Sequence, residues 1–157
     1  MAASSAGILL YRVEPDGGVS ALVAHMGGPF WARKDEGAWT IPKGEIDDDE
    51  DVLDAAEREF AEELGLAPPD ADYALLGTFV YGSGKRVTVF VADGAGFEVG
   101  DAVFGEFEME WPPRSGRRAS FPEVDRVEWM PVEEARPRLV AGQRPALDRL
   151  AELIAEV

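Results

Sequence analysis

The chain has no cysteine in 157 residues, which excludes disulfides, thiolate metal sites and a thiol nucleophile. It has one histidine, so no histidine cluster can form. His25 ends the apolar run at residues 19–25 and reads as a core-edge or surface residue. No apolar stretch approaches the roughly 20 residues that span a bilayer. The opening MAASSAGILLYR lacks the basic start and long apolar middle of a secretory signal. These absences predict a cytoplasmic protein with no membrane partner. Positive charge is also scarce, 15 Lys and Arg against 31 Asp and Glu, for a net charge of −16. Such a surface repels phosphate polymers, so a nucleic acid polymer is not an expected partner. A small metal-complexed nucleotide is a different case, because bound cations invert the local field.

What is present is a core. Hydrophobic residues make up 46% of the chain, enough at this length for a single domain over residues 1–157. The most informative stretch is residues 44–66, GEIDDDEDVLDAAEREFAEELGL. Residues 50–64 contain good helix formers and no Pro or Gly, which predicts a helix. Leu53, Ala56, Phe60 and Leu64 then fall on one stripe that should be buried. Glu59, Glu62 and Glu63, at i, i+3 and i+4, cluster on a neighbouring face. Three carboxylates this close repel one another unless a cation neutralises them. Oxygen-only ligands point to a hard ion, Mg²⁺ or Mn²⁺, which also bridges to substrate phosphates. The acidic run at residues 45–51 reads as a solvated loop with acids suited to a helix N-terminus. Pro42 and Gly44 predict a loop before the helix, with Gly44 allowing close backbone approach to a ligand or metal. Gly65 predicts a left-handed helix cap.

Gly44, Glu50, Arg58, Glu59, Phe60, Glu62, Glu63, Gly65 and Leu66 together fit G-x5-E-x7-R-E-U-x-E-E-x-G-U, with U an aliphatic or aromatic residue. By this motif the chain resembles the Nudix hydrolases, which cut the pyrophosphate of a nucleoside diphosphate linked to another group with the help of a divalent metal. The resemblance implies metal ligation by Glu59, Glu62 and Glu63, helped by the Gly44 carbonyl, and a bracing ion pair between Glu50 and Arg58. It also implies a further carboxylate from a later loop. Glu123 holds that position as a metal ligand or general base, with Glu106 and Glu108 as rivals, and Glu59 is the other candidate base.

Strands are predicted at residues 4–13, 19–25, 74–81, 86–92, 106–111 and 124–130, with a short extended piece at 39–41. Helices are predicted at 132–139 and 145–157. Strands interleaved with helices give an α/β sandwich around a mixed sheet, and the resemblance implies the Nudix α/β/α form of it.

Outside the motif the chain is most similar to the dinucleoside tetraphosphate (diadenosine tetraphosphate) hydrolase branch. The similar segments are SAGILLYR, the Trp39-Thr40-Ile41-Pro42-Lys43-Gly44 entry, Tyr81 with Gly84-Lys85-Arg86 and the strand after it, and Glu123 six residues before Trp129. The chain departs from that branch in having no histidine near Glu123. Lys43, Lys85 and Arg86 are cations beside glycines, suited to phosphate oxygens. Trp39 and Tyr81 are candidates to stack on a purine, and residues 114–118 form a basic loop. The implied substrate is a small nucleotide or polyphosphate. Nucleoside triphosphates, ADP-ribose and a diphosphoinositol phosphate remain alternatives, as does a non-catalytic nucleotide-sensing Nudix domain.

Overall fold

A computed structural model describes residues 4–155. Two antiparallel neighbours start the sheet, β1 (Ser4–Val13) and β2 (Val19–Met26). Residues 5–10 are all buried, so both faces of β1 are covered, as a continuous apolar run requires. Next come β3 (Trp39–Thr40), β4 (Lys43–Glu45), α1 (Val52–Leu64), β5 (Ala74–Val80) and β6 (Arg86–Asp93). A hairpin of β7 (Glu106–Glu110) and β8 (Arg118–Pro122) precedes β9 (Val124–Pro131), α2 (Val132–Arg138) and α3 (Arg144–Ala155). The last two residues of the predicted C-terminal helix lie outside the described residues.

The main sheet has seven strands in the order β3-β2-β1-β6-β5, with β4 also paired to β1 and β9 to β2. Only the β1–β6 pairing is parallel among those described, so the sheet is mixed, as predicted. Period-2 alternation sends β1 side chains to two cores. Ile8 and Leu10 pack with Phe60 and Leu64 of α1 on one face. Leu9 packs with Leu139, Leu147 and Leu150 on the other. The result is the expected α/β/α layering.

The motif helix starts two residues later than predicted, because Asp51 accepts the Asp54 N–H at 3.2 Å and caps it. Gly65 closes it in the left-handed region, φ 67°. Phe60 and Leu64 are fully buried as predicted, and truncating Phe60 to Ala would cost about 3–5 kcal/mol. Leu53 is only half-buried, and Ala55 takes the inner position. Residues 43–45, read as loop, are instead strand β4. Ser5, Ala6 and Gly7 pair in register with Glu45, Gly44 and Lys43. Residues 118–122, which had no strand assigned, form β8 opposite β7.

His25 is fully buried, not at the edge of the core. Nδ1 lies 2.7 Å from Asp125 Oδ1 and Nε2 lies 2.6 Å from the Lys34 carbonyl oxygen. One ring therefore ties the 27–37 loop to β9. No helix among the described residues is long and apolar enough to cross a membrane. His25→Leu keeps the bulk and deletes both polar links, so it should destabilise the protein by about 1–3 kcal/mol in urea unfolding. A loss smaller than about 0.5 kcal/mol would remove this pin from the account of the loop.

Candidate active site

Arg58 organises the motif. Its Nε and one terminal nitrogen donate to the two Glu50 oxygens at 2.9 and 3.0 Å. The latter nitrogen also donates to the Glu45 carbonyl at 3.0 Å. The other terminal nitrogen donates to Glu59 Oε1 at 2.9 Å and Glu62 Oε2 at 3.1 Å. The guanidinium holds the Glu50 carboxyl below its ordinary range, and Glu50 foremost pushes Arg58 further up. The Glu50–Arg58 pair implied by the motif is present, and Arg58 also reaches two of the proposed metal ligands.

The box carboxylates occupy three different environments. Glu62 is exposed on the outer side of α1, 58% accessible and held by Arg58. Glu59 lies against Gly44, where an added Cβ would come 1.9 Å from Glu59 Oε2. The absence of a side chain at Gly44 makes room for this carboxylate. Burial foremost pushes the Glu59 carboxyl up, with Glu62 and Glu123 adding repulsion against the pull of Arg58. Glu63 is buried at 6% exposure, although its spacing puts it with the charged residues. Its carboxyl accepts a hydrogen bond from the Lys43 backbone, yet burial, with repulsion from Glu123 and Glu59, pushes it up to about 8.

Glu63 opens into a cleft of about 340 Å³ lined by Met26, Thr40, Lys43, Glu63, Tyr81, Glu123, Val124 and Val140. Three proposed site residues from separate segments, Lys43, Tyr81 and Glu123, therefore line one cavity with Glu63. A larger depression of about 570 Å³ between α2, α3 and the β1–β2 turn is mostly apolar and far from these carboxylates in the fold. Glu123 is positioned by backbone bonds on both sides, its N–H donating to the Gly105 carbonyl and its own carbonyl accepting from Gly27. The rivals Glu106 and Glu108 stand exposed on β7, outside the cleft lining.

Of the substrate-binding candidates, Lys43 is half-buried in the cleft. Burial and the Lys85 charge push its ammonium down, against the pull of Glu63, Glu59 and Glu45. Lys85 thus stands near the same site. Arg86 opens β6 as an exposed residue paired with Ser4 and Val80, and it does not line the cleft. Trp39 is corrected to a core residue. It is 1% exposed, donates from Nε1 to Asp35 at 2.7 Å, and packs edge-on to His25 and beneath Arg126, leaving no face for a base. The basic loop at 114–118 is the tip of the β7–β8 hairpin. Composition and spacing also gave no sign of Gln143, a fully buried side chain that bonds Ile41, Thr40 and Tyr81. A polar residue between a turn and a helix start has no local pattern that announces burial.

Among the described residues no three Asp, Glu or His side chains are closed into a ready metal cage. Glu123 nevertheless adds repulsion at both Glu59 and Glu63, and Glu59 adds repulsion at Glu63, so the three approach closely enough to interact. This all-oxygen set fits a hard divalent cation, with Glu62 and the Gly44 carbonyl at its margin.

The NUDIX domain family model matches residues 1–150, and the chain belongs to that family, the class of pyrophosphohydrolases signalled by the motif. An RNA pyrophosphohydrolase from Halorhodospira halophila is 43% identical over 70 residues, covering 41% of this chain and 38% of that protein. A Caenorhabditis elegans Ap4A hydrolase binary complex superposes with a TM-score of 0.70 at 22% identity, covering 98% of this chain and 99% of that one. The NUDIX domain of Shewanella oneidensis NrtR, complexed with ADP ribose, superposes at 0.66 with 17% identity, covering 98% and 89%. At these identities the structural matches establish the fold.

The buried Glu63 gives a pH test. Its folded-state carboxyl, at about 8, lies above the ordinary value of 4.5. The associated stability is therefore complete below about pH 4.5 and lost as pH rises through 8. In chelator-treated protein, Glu63→Gln should become progressively more stable than the parent between pH 6 and pH 9, by about 1–3 kcal/mol. A stability difference that does not change with pH would contradict the burial of an uncompensated carboxylate there.

Proposed function

We propose that residues 1–157 form a single cytoplasmic Nudix hydrolase domain. It uses Mg²⁺ or Mn²⁺ to cleave a nucleoside diphosphate linked to another moiety, with a dinucleoside polyphosphate such as diadenosine tetraphosphate as the substrate. The observation that carries this reading is the cleft that brings Glu63 and Glu123 together with Lys43 and Tyr81. Acidic groups for a cation and a cationic group for phosphate share one cavity in an otherwise acidic protein. The fold likeness to the C. elegans Ap4A hydrolase is compatible with this substrate class.

Glu59, Glu62, Glu63 and Glu123, with the Gly44 carbonyl, would hold the metal. When bound, the ion supplies Lewis acidity and a more acidic water. The chain's residues supply the rest. Lys43, with Lys85 nearby, holds non-bridging phosphate oxygens and balances charge that grows as the anhydride breaks. A water oxygen forms a bond to one phosphorus while the bridging P–O bond on the opposite side breaks. The water proton passes to Glu59 or Glu123, and the departing phosphate keeps the bond electrons. Arg58 keeps Glu59 and Glu62 oriented. Asymmetric cleavage of diadenosine tetraphosphate would yield ATP and AMP.

A second reading follows from the RNA pyrophosphohydrolase likeness: the substrate would be a pyrophosphate carried by an RNA. The net charge of −16 disfavours a polyanion beyond its terminal phosphates. A hydrolysis panel with Mg²⁺ separates the readings, using diadenosine tetraphosphate, nucleoside triphosphates, ADP-ribose, a diphosphoinositol phosphate and a 5′-triphosphorylated oligoribonucleotide. The highest kcat/KM is expected on diadenosine tetraphosphate. Preference for another substrate would replace it, and tight binding without product would favour a nucleotide sensor. Glu62→Gln and Glu63→Gln should each lower kcat by about 10²-fold or more while the circular dichroism spectrum is unchanged. Near-parental rates in both would remove the metal-binding roles.

A further inference from the structure

Gln143 connects the α3 end of the fold to the cleft through a hydrogen-bond network whose direction is determined throughout. The Ile41 N–H can only donate, and it meets Gln143 Oε1 at 2.7 Å. That contact identifies the oxygen end of the amide, so Nε2 is the other end. Its two N–H groups go to Thr40 Oγ1 and to the Tyr81 hydroxyl oxygen, each at 2.9 Å. The Thr40 hydroxyl spends its proton on the Ile41 carbonyl at 2.9 Å. The Tyr81 oxygen is therefore an acceptor towards Gln143, and its own proton has to go elsewhere. Among the described residues no acceptor takes that proton. Tyr81 lines the cleft beside Lys43 and Glu63. The ring cannot back away, because it rests on Gly142, where an added Cβ would come 2.2 Å from Tyr81 Cδ1.

We propose that Gln143 is a positioning residue that turns the Tyr81 hydroxyl into an obligatory donor to a phosphate oxygen in the cleft. The ligand class rests on the pyrophosphohydrolase reading above; the direction of the network does not. A tyrosine in the same cleft as Lys43, in a turn with Lys85, adds a third donor to the two cations. This role differs from stacking on a base, which the Gly142 contact already denies to one side of the ring. An amide at residue 143 is essential to it. A carboxylate of the same shape would still accept from Ile41, but it would also recapture the tyrosine proton and silence the donor.

The test is a double-mutant cycle on the full chain, read as the calorimetric Kd for methylenediphosphonate with Mg²⁺, a pyrophosphate mimic that cannot be hydrolysed and carries no base. Tyr81→Phe and Gln143→Glu should each raise Kd about tenfold, and the double variant no further. Because a buried carboxylate at 143 can prevent folding, Gln143→Met serves as the second variant. Its smaller rise in Kd should also vanish in the Tyr81→Phe background. In hydrolysis assays the same cycle should move KM and leave kcat within about twofold. The inference is overturned if Gln143 substitutions weaken binding equally with and without the Tyr81 hydroxyl. It is equally overturned if Tyr81→Phe binds the mimic as tightly as the parent. Failure of the hydrolysis panel with an intact binding cycle would sink the enzymatic reading alone, while turnover with an additive cycle would sink only this inference.

Discussion

Arg58 sits where a loop, a helix and two candidate metal ligands meet, and the acidic site is built around its five hydrogen bonds. Single exposed ion pairs contribute little, usually under about 1 kcal/mol. The arrangement here is different in kind, because one planar fork is shared by Glu50, Glu59, Glu62 and the Glu45 carbonyl. The guanidinium fastens β4 and the acidic loop to α1. It also offsets repulsion among acids that would otherwise splay the helix from the loop. Lysine could carry the charge but has no two-sided fork, so the geometry specifies arginine. With this hub in place, the protein can keep a concentration of negative charge assembled before any cation arrives.

Glu63 lies beyond the reach of that hub. Its nearest compensation is Lys43, through the backbone N–H and the ammonium charge. Attraction and desolvation oppose each other there, and desolvation prevails: the carboxyl moves up to about 8 despite a cation beside it. The same contest pushes the Lys43 ammonium down. A pair optimised for stability would shift both groups the other way. Residues that violate the local rule while the surrounding fold obeys it are expected at functional sites. The site has a deficit of positive charge that the protein's own side chains do not fill, and a divalent ion, as in the proposed function, would remove it.

The motif's periodicity was enough to place α1, its buried Phe60 and Leu64 and the Gly65 cap, because each depends on local contacts or on helix phase, while the Glu50–Arg58 pair was implied only by the family resemblance. The mixed α/β sandwich also followed from alternating strand and helix patterns, and the resemblance implied its layered α/β/α form. Features that depend on distant partners were not visible. Strand β4 exists because β1 offers it an edge, and three residues containing glycine have no strand signal of their own. Glu63 shares the sequence spacing of Glu59 and Glu62, and distant segments, the Lys43 strand and Gly105 among them, pack against it. Trp39 was a candidate for stacking because an aromatic ring can stack on a base. His25 and Arg126, from opposite ends of the chain, enclose it. Gln143 meets Ile41 across more than a hundred residues, a separation that no local pattern records.

These non-local contacts also divide the site by task. In the proposed reading, the box carboxylates on α1 handle a cation and a phosphorus and are indifferent to what the phosphate is attached to. The rest of the cleft is drawn from β3, the β5–β6 turn and the segment before α3. Thr40, Tyr81 and Gln143 there form one rigid hydrogen-bonded unit, with Lys43 and Lys85 beside it. A hydrogen-bond donor fixed in direction discriminates more sharply than a hydrophobic surface, because a ligand that fails to meet it leaves a buried polar group unpaired. Selectivity among pyrophosphates therefore belongs to the part of the cleft that the box does not encode. Chains sharing the box can diverge in substrate by exchanging a few residues around that unit while Arg58 and its acids remain as they are.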